Sequence, residues 1–177
     1  SLKPQKYYNS MKVMASAAHT TGKTKLGAEA FTGNRGWKDH PYIYKGLGDE
    51  AFCQGVNQYL LHLSAHQAYD EMVPGLTHQR WGGHFNRHNT WWEYSMPWLE
   101  YISRCQYLLQ KGRFVADVCY FFGEGAPLDL KDMALNLPIG YDYDVCSSDI
   151  LQQMEVRNGK IVLPSGMHYR YLVLPDY

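Results

Sequence analysis

The chain has 177 residues, enough for one domain or for pieces of two. Seventeen basic residues balance 17 acidic ones with no long run of either sign, which argues against a nucleic-acid partner, and no stretch of about 18 apolar residues exists to span a membrane. The unusual counts are 15 Tyr, 5 Trp and 8 His in a neutral chain, and aromatic rings with polar tips suit clefts that stack on sugars while hydrogen-bonding their hydroxyls.

Residues 4–20 read as an amphipathic helix, with Tyr7, Met11, Met14 and Ala18 on one stripe and Gly22 as its stop. The first residues, SLKPQKYYNSMK, lack the charged-then-apolar pattern of a leader, which carries no weight in a chain that does not begin with Met. Residues 25–31 read as a short strand with Glu29 near its C-terminal end. The Gly, Pro and Asp content of residues 32–50 predicts one long loop. Over residues 51–65 the stripe Phe52, Val56, Tyr59/Leu60, Leu63 fits a helix, while its middle, VNQYLLHL, fits a buried strand equally well. Residues 67–96 show no sustained period and are dense in aromatics and histidines.

A helix is expected over 97–110, with Trp98, Ile102, Cys105 and Leu109 in register, Pro97 in its first turn and Lys111-Gly112 closing it. FVADVCYFF, residues 114–122, has the length and β-branched content of a strand buried on both faces, as in a parallel sheet. Ser147 or Ser148 is placed to cap a short helix through about Gln153. MEVRNGKIVLP then predicts a hairpin around Asn158-Gly159, the preferred type I′ pair. Helix–strand alternation throughout gives an α/β class, with a boundary near Gly112 dividing 1–112 from 113–177. The four cysteines (Cys53, Cys105, Cys119, Cys146) form no CxxC pair, and three of them read as small core residues in apolar segments.

The candidate chemistry centres on Glu29 in GAEAFTG. An ionised carboxylate in a buried strand costs several kcal/mol and is normally paired, protonated or functional; in a loop it is an ordinary surface charge. In α/β barrels the catalytic residues stand at the C-terminal ends of strands, the placement Glu29 has if 25–31 is a strand. Glycoside hydrolysis needs two carboxylates, of which Glu29 can be one. A second cluster, LHLSAHQ, holds His62, His66 and Gln67. At i, i+4 the two histidines would share a helix face, permitting a metal site, although hydrogen bonding to a polar substrate or to backbone suits them as well and the HExxH pattern is absent. The third, WGGHFNRHNTWW, offers Gly82-Gly83 for close backbone approach, His84, Asn86 and Arg87 as donors, and Trp81, Trp91 and Trp92 either as sugar-stacking faces or as core filling. Glu124 reads as solvent-facing or capping, and Asp142 and Asp144 in GYDYD read as turn residues.

The strings GAEAFTG, GDEAFCQGVNQYLLHLSAHQ, GGHFNRHNTWWEYSMPWLEYISRCQYLLQKGRFVADVCYFFGE, GYDYD and LPSGMHYRYLVLP, in this order, resemble glycoside hydrolase family 106, the α-L-rhamnosidases. The resemblance implies a much longer secreted or periplasmic enzyme. In it this chain supplies the C-terminal units of a catalytic (β/α)8 TIM-type barrel, 1–112, followed by the beginning of a flavodoxin-like α/β domain, 113–177. It implies an inverting mechanism on terminal α-L-rhamnosides, with Glu29 as general base and the general acid upstream of Ser1. His62, His66, Gln67, His84, Asn86, Arg87, Trp91 and Trp92 would line the sugar subsite. The expected partner is a rhamnose-containing glycan or glycoside. Calcium enters as a candidate cofactor with no motif to assign its ligands. A β-galactosidase-like hydrolase on the same architecture and a non-catalytic carbohydrate-binding protein are the alternatives, and the 177 residues alone are expected to be inactive.

Overall fold

The computed structural model describes residues 5–125 and 137–175. They fall into two units, one of residues 27–109 and one that joins the residues before Gly27 to those after Leu109. The break at Leu109 lies close to the expected boundary at Gly112, but the N-terminal helix belongs with the C-terminal unit rather than with the rest of 1–112.

In the unit of residues 27–109, strand β1 (Gly27–Ala30) pairs in parallel with β2 (Gln58–Leu61), placing Glu29 opposite Leu60. The loop expected over 32–50 is only partly a loop. Helix α2 (Pro41–Cys53) begins inside it, with Pro41 in the first turn, where a missing N–H costs nothing. Gly55 at φ 101 ends α2, and bonds from Gly55 N to Phe52 O and from Val56 N to Ala51 O close it as a Schellman motif. That stop resolves the ambiguity of 51–65: the chain leaves the helix at Gly55 and enters β2, so the strand reading of its middle holds. Helix α3 (Met96–Leu109) follows the expected span and buries Trp98 and Ile102. The core here is aromatic, with Tyr44, Phe85, Trp98 and Ile102 buried and Phe31, Tyr59, Leu61, Trp91 and Trp92 packed against them.

In the other unit, β3 (Val118–Phe121) lies between β4 (Tyr143–Cys146) and β8 (Tyr171–Val173), all parallel. Its two faces feed two clusters, Cys119 and Cys146 with Tyr169 on one and Val118, Tyr120 and Val145 on the other, as its unbroken apolar run predicts. The hydrogen bond to Cys146 and then burial push the Cys119 thiol far above its ordinary range, so it serves as an inert core group. Cys53, by contrast, is exposed. After β4, α4 (Ser148–Leu151) is a single turn, shorter than expected, and Ser147 at its N-cap makes no side-chain capping bond. Strands β5 (Glu155–Arg157), β6 (Lys160–Val162) and β7 (His168–Tyr169) form an antiparallel sheet. The turn joining the first two has Asn158 and Gly159 at φ 52 and 73, the type I′ signature.

Helix α1 (Gln5–Thr20) ends at Gly22, φ 78, as expected, but its apolar stripe does not choose its buried face. Of the stripe, Ala18 is buried but Met14 is 57% exposed, while Lys12, Ala15 and Ser16, outside it, are buried; the Tyr7 side chain lies outside the described residues. Small side chains let the helix approach β4, and polar anchors fix its rotation. Lys12 Nζ reaches Asp142 Oδ1 at 2.6 Å and sits over the rings of Phe114 and Tyr143. His19 Nδ1 lies 2.8 Å from Asp144 Oδ1. The reading of Asp144 as a turn residue is therefore corrected: it stands within β4, fully buried, and also accepts a hydrogen bond from the Tyr169 hydroxyl at 2.9 Å.

Candidate functional site

Glu29 is the third residue of β1, where the chain turns sharply. Phe31 takes φ 65, and Gly33 N bonds back to Phe31 O at 2.8 Å. A non-glycine residue in this region costs about 1–3 kcal/mol and clusters at functional sites. The burial considered for Glu29 is not found. Within these 177 residues it is exposed, because the opposite face of the β1–β2 pair packs on the aromatic core through Tyr59 and Leu61. Glu29 Oε1 accepts a 2.6 Å hydrogen bond from Thr32 Oγ1, which orients the carboxylate and leaves Oε2 uncommitted among the described residues.

Beyond β2 the backbone continues the pairing, His62 N bonding to Ala30 O at 3.0 Å. The Gly82-Gly83 loop then lies against this strand end through Gly83 N to His62 O, 2.8 Å, and Gly82 N to Gly33 O, 2.9 Å. The close approach expected of the two glycines is present. A Cβ on Gly83 would meet the Phe85 ring at 2.5 Å and Tyr44 Oη at 2.7 Å. Gly83→Ala is therefore expected to destabilise the folded protein by about 1–3 kcal/mol. Urea unfolding of the full-length protein checks this, and an unchanged midpoint would show that the loop gives way freely.

The loop delivers His84, fully buried at φ 48, with its ring 4.2 Å from that of Trp37. Burial lowers its pKa, keeping the imidazole neutral at pH 7. Both ring nitrogens of His84, Nδ1 of His62 and Nδ2 of Asn86 are buried and have no hydrogen-bond partner among the described residues. Such uncommitted donors and acceptors suit a site that receives hydroxyl groups.

The structure therefore brings Glu29, His62 and His84 to the ends of two parallel strands. It uses the other expected residues differently. His62 and His66 share no helix face: the first follows β2 and the second forms an isolated bridge with Leu76. Gln67 Nε2 donates to Pro74 O at 3.1 Å, bracing the 66–76 loop, and exposed Arg87 pairs with Asp70. Asn86 is divided: its Oδ1 accepts from His88 N, shaping its own turn, while its Nδ2 has no partner among the described residues. Trp91 and Trp92 pack on the aromatic core, although Trp91 also lines an open cavity of about 590 Å³ with Trp37 and Tyr94. No group of three His, Cys, Asp or Glu side chains converges among the described residues.

Three contributors escaped the sequence reading. They are Thr32, which holds Glu29; Trp37, which covers His84; and Asp39, buried and 3.3 Å from Arg35 Nε, whose backbone carbonyl accepts from Trp91 Nε1. The run Asp39-His40-Pro41 is a helix-start signal that would have divided the supposed loop.

A profile of glycoside hydrolase family 106, described as alpha-L-rhamnosidase, matches residues 1–177. The structure of a rhamnosidase from Novosphingobium sp. PP1Y is similar at a TM-score of 0.86 and 37% identity, over 94% of this chain and 16% of that one. A Formosa agariphila protein provisionally named a beta-glucuronidase is 41% identical over 174 residues, 96% of this chain and 14% of its own length. The chain thus spans about one-seventh of the curated relative it matches.

Proposed function

The chain belongs to glycoside hydrolase family 106, the alpha-L-rhamnosidases, and from that premise we propose that it forms part of a longer glycosidase that hydrolyses terminal α-L-rhamnosides with inversion. Glu29 is the general base, and the general acid comes from a part of the enzyme outside these 177 residues. The observation that carries this reading is the place of Glu29: near the C-terminal end of a parallel strand, on the face turned away from the aromatic core. In a closed (β/α)8 barrel that face is the interior, and the strand's C-terminal end is where barrel enzymes do their chemistry. Residues 27–109 then supply the last units of the barrel, and the parallel β4-β3-β8 sheet begins a flavodoxin-like domain. A secreted or periplasmic location completes the proposal.

In the reaction, water lies between Glu29 and the anomeric carbon, on the face opposite the leaving oxygen. Glu29 takes its proton as the new C–O bond forms, while the acid protonates the departing oxygen. The two carboxyl groups stand about 6.5–9.5 Å apart to admit that water. Thr32 holds Oε1, so Oε2 is the basic oxygen. His62 and neutral His84, whose partnerless nitrogens are buried within the described residues beside this strand end, are the candidates to meet sugar hydroxyls.

A second reading, hydrolysis of β-glucuronides, rests on the name carried by the Formosa agariphila relative. Nitrophenyl α-L-rhamnoside, β-D-glucuronide and β-D-galactoside, offered to the full-length protein, separate these activities. Turnover of the rhamnoside, with β-rhamnose as the first product by NMR, is the expected result. Turnover of the glucuronide or galactoside alone would replace the proposal.

A further inference from the structure

Beside the strand-end site, within the same unit, lies the open cavity of about 590 Å³ to which Trp91 contributes. Its size falls in the range of ligand pockets, and its wall is largely aromatic. Trp37, Tyr42 and Tyr94 are exposed, the two tyrosines to 86% and 79%. Trp37 has two roles: its ring lies against His84 and it also lines the cavity, so the strand-end site and the cavity share a wall. The rings of His40 and Tyr42 lie nearly parallel, 6.3 Å apart, on the same rim.

The rim carries one charge of each sign, and they are not equally available. Lys38 is exposed and has no acidic partner among the described residues, whereas the Asp39 carboxylate is buried, with Arg35 Nε 3.3 Å from its Oδ1. The cavity also faces the start of α2, whose N-cap His40 makes no side-chain capping bond; the positive end of that 13-residue helix adds to the potential. Exposed rings favour a sugar, and the unpaired cation favours a negative charge on it.

We propose that this cavity is an accessory subsite for an anionic sugar unit, a uronate or a sulfated hexose, of the glycan whose terminal residue is removed next door. The anion meets Lys38, and the sugar ring lies on Tyr94 or Trp91. The choice of a sugar as occupant rests on the glycosidase reading given above. The subsite would select substrates in which the cleaved residue is attached to an acidic chain.

Calorimetric titration of the full-length protein tests this with trigalacturonate, its uncharged methyl ester and a sulfated galactotriose. An acidic ligand is expected to bind about tenfold more tightly than the ester, and Lys38→Ala to abolish that preference. Tyr94→Ala should weaken the acidic ligand and the ester together, because stacking does not depend on charge. The better of the two acidic ligands identifies the anion. Equal binding of ester and acids to the wild-type protein, or an acid preference that survives Lys38→Ala, would overturn the subsite. Binding is read without turnover, so the two proposals fail separately. Charge-selective binding without rhamnoside hydrolysis would sink only the functional reading, and rhamnoside hydrolysis without charge-selective binding only the subsite.

Discussion

Glu29→Gln in the full-length enzyme is expected to lower kcat by about 10²- to 10⁴-fold, the range that a positioned general base contributes. The amide keeps the shape of the side chain and can still accept the Thr32 hydrogen bond, but it cannot take a proton from water. Because the amide keeps the volume of the side chain and the Thr32 contact, the variant should fold normally, with a stability change within about 0.5 kcal/mol. The acidic limb of the pH–rate profile, which reports deprotonation of the base, should vanish with it. Thr32→Val, which removes only the hydroxyl that holds Oε1, should cost about tenfold, the scale of one hydrogen bond to a charged group. Steady-state kinetics on nitrophenyl α-L-rhamnoside decides the matter. A Gln variant with near wild-type kcat would remove Glu29 from the mechanism.

The largest effect on stability is expected at a residue with no part in that chemistry. Asp144→Ala should cost about 3 kcal/mol, since it removes one member of a buried polar set and strands the rest. The Tyr169 hydroxyl, in a fully buried side chain, loses its acceptor, and His19 loses its anchor to β4. Burial, reinforced by the Asp144 carboxylate, raises the Tyr169 pKa, so the phenol remains a donor that needs a partner. Asp144→Asn keeps an acceptor for Tyr169 and should cost about 1 kcal/mol. Asp142→Ala makes an intermediate comparison: its carboxylate is 44% exposed, but it pairs with buried Lys12, which would keep only the ring faces of Phe114 and Tyr143, so its loss should cost about 2 kcal/mol. Urea unfolding, with hydrogen exchange in α1 and β4 as the local readout, would rank the three. Equal losses at Asp142 and Asp144 would show that burial of the pair does not set its strength.

These cases also mark how far the chain could be read before it was folded. Local signals were legible where the determining chemistry lies within a few residues. The Asn158-Gly159 hairpin, the Gly22 stop, the span of α3 and the doubly buried β3 all followed from turn residues and apolar patterning. The aromatic count was legible as a total but not by location, since most of the rings build the core of residues 27–109 rather than a sugar platform. Near the strand end, the placement of Glu29 and the close approach of the glycine pair were readable. Thr32 and Trp37 were not, because a Thr or a Trp in a loop carries no pattern of its own.

By itself the sequence determined the α/β class, the family and the carboxylate on which the chemistry is proposed to turn, because motifs and periodicity are properties of neighbouring residues. Only the tertiary structure decided which side chains are buried and which are paired. Lys12 is buried while Met14 is exposed, and Asp144 is a buried anchor rather than a turn residue, because the partners of Lys12 and His19 lie 130 and 125 residues away along the chain. Glu29 is exposed rather than buried for a related reason: β1 pairs only with β2 among the described residues, and the packed face of that pair is the other one. Burial and charge pairing are set by what the fold brings alongside, and no local pattern encodes that.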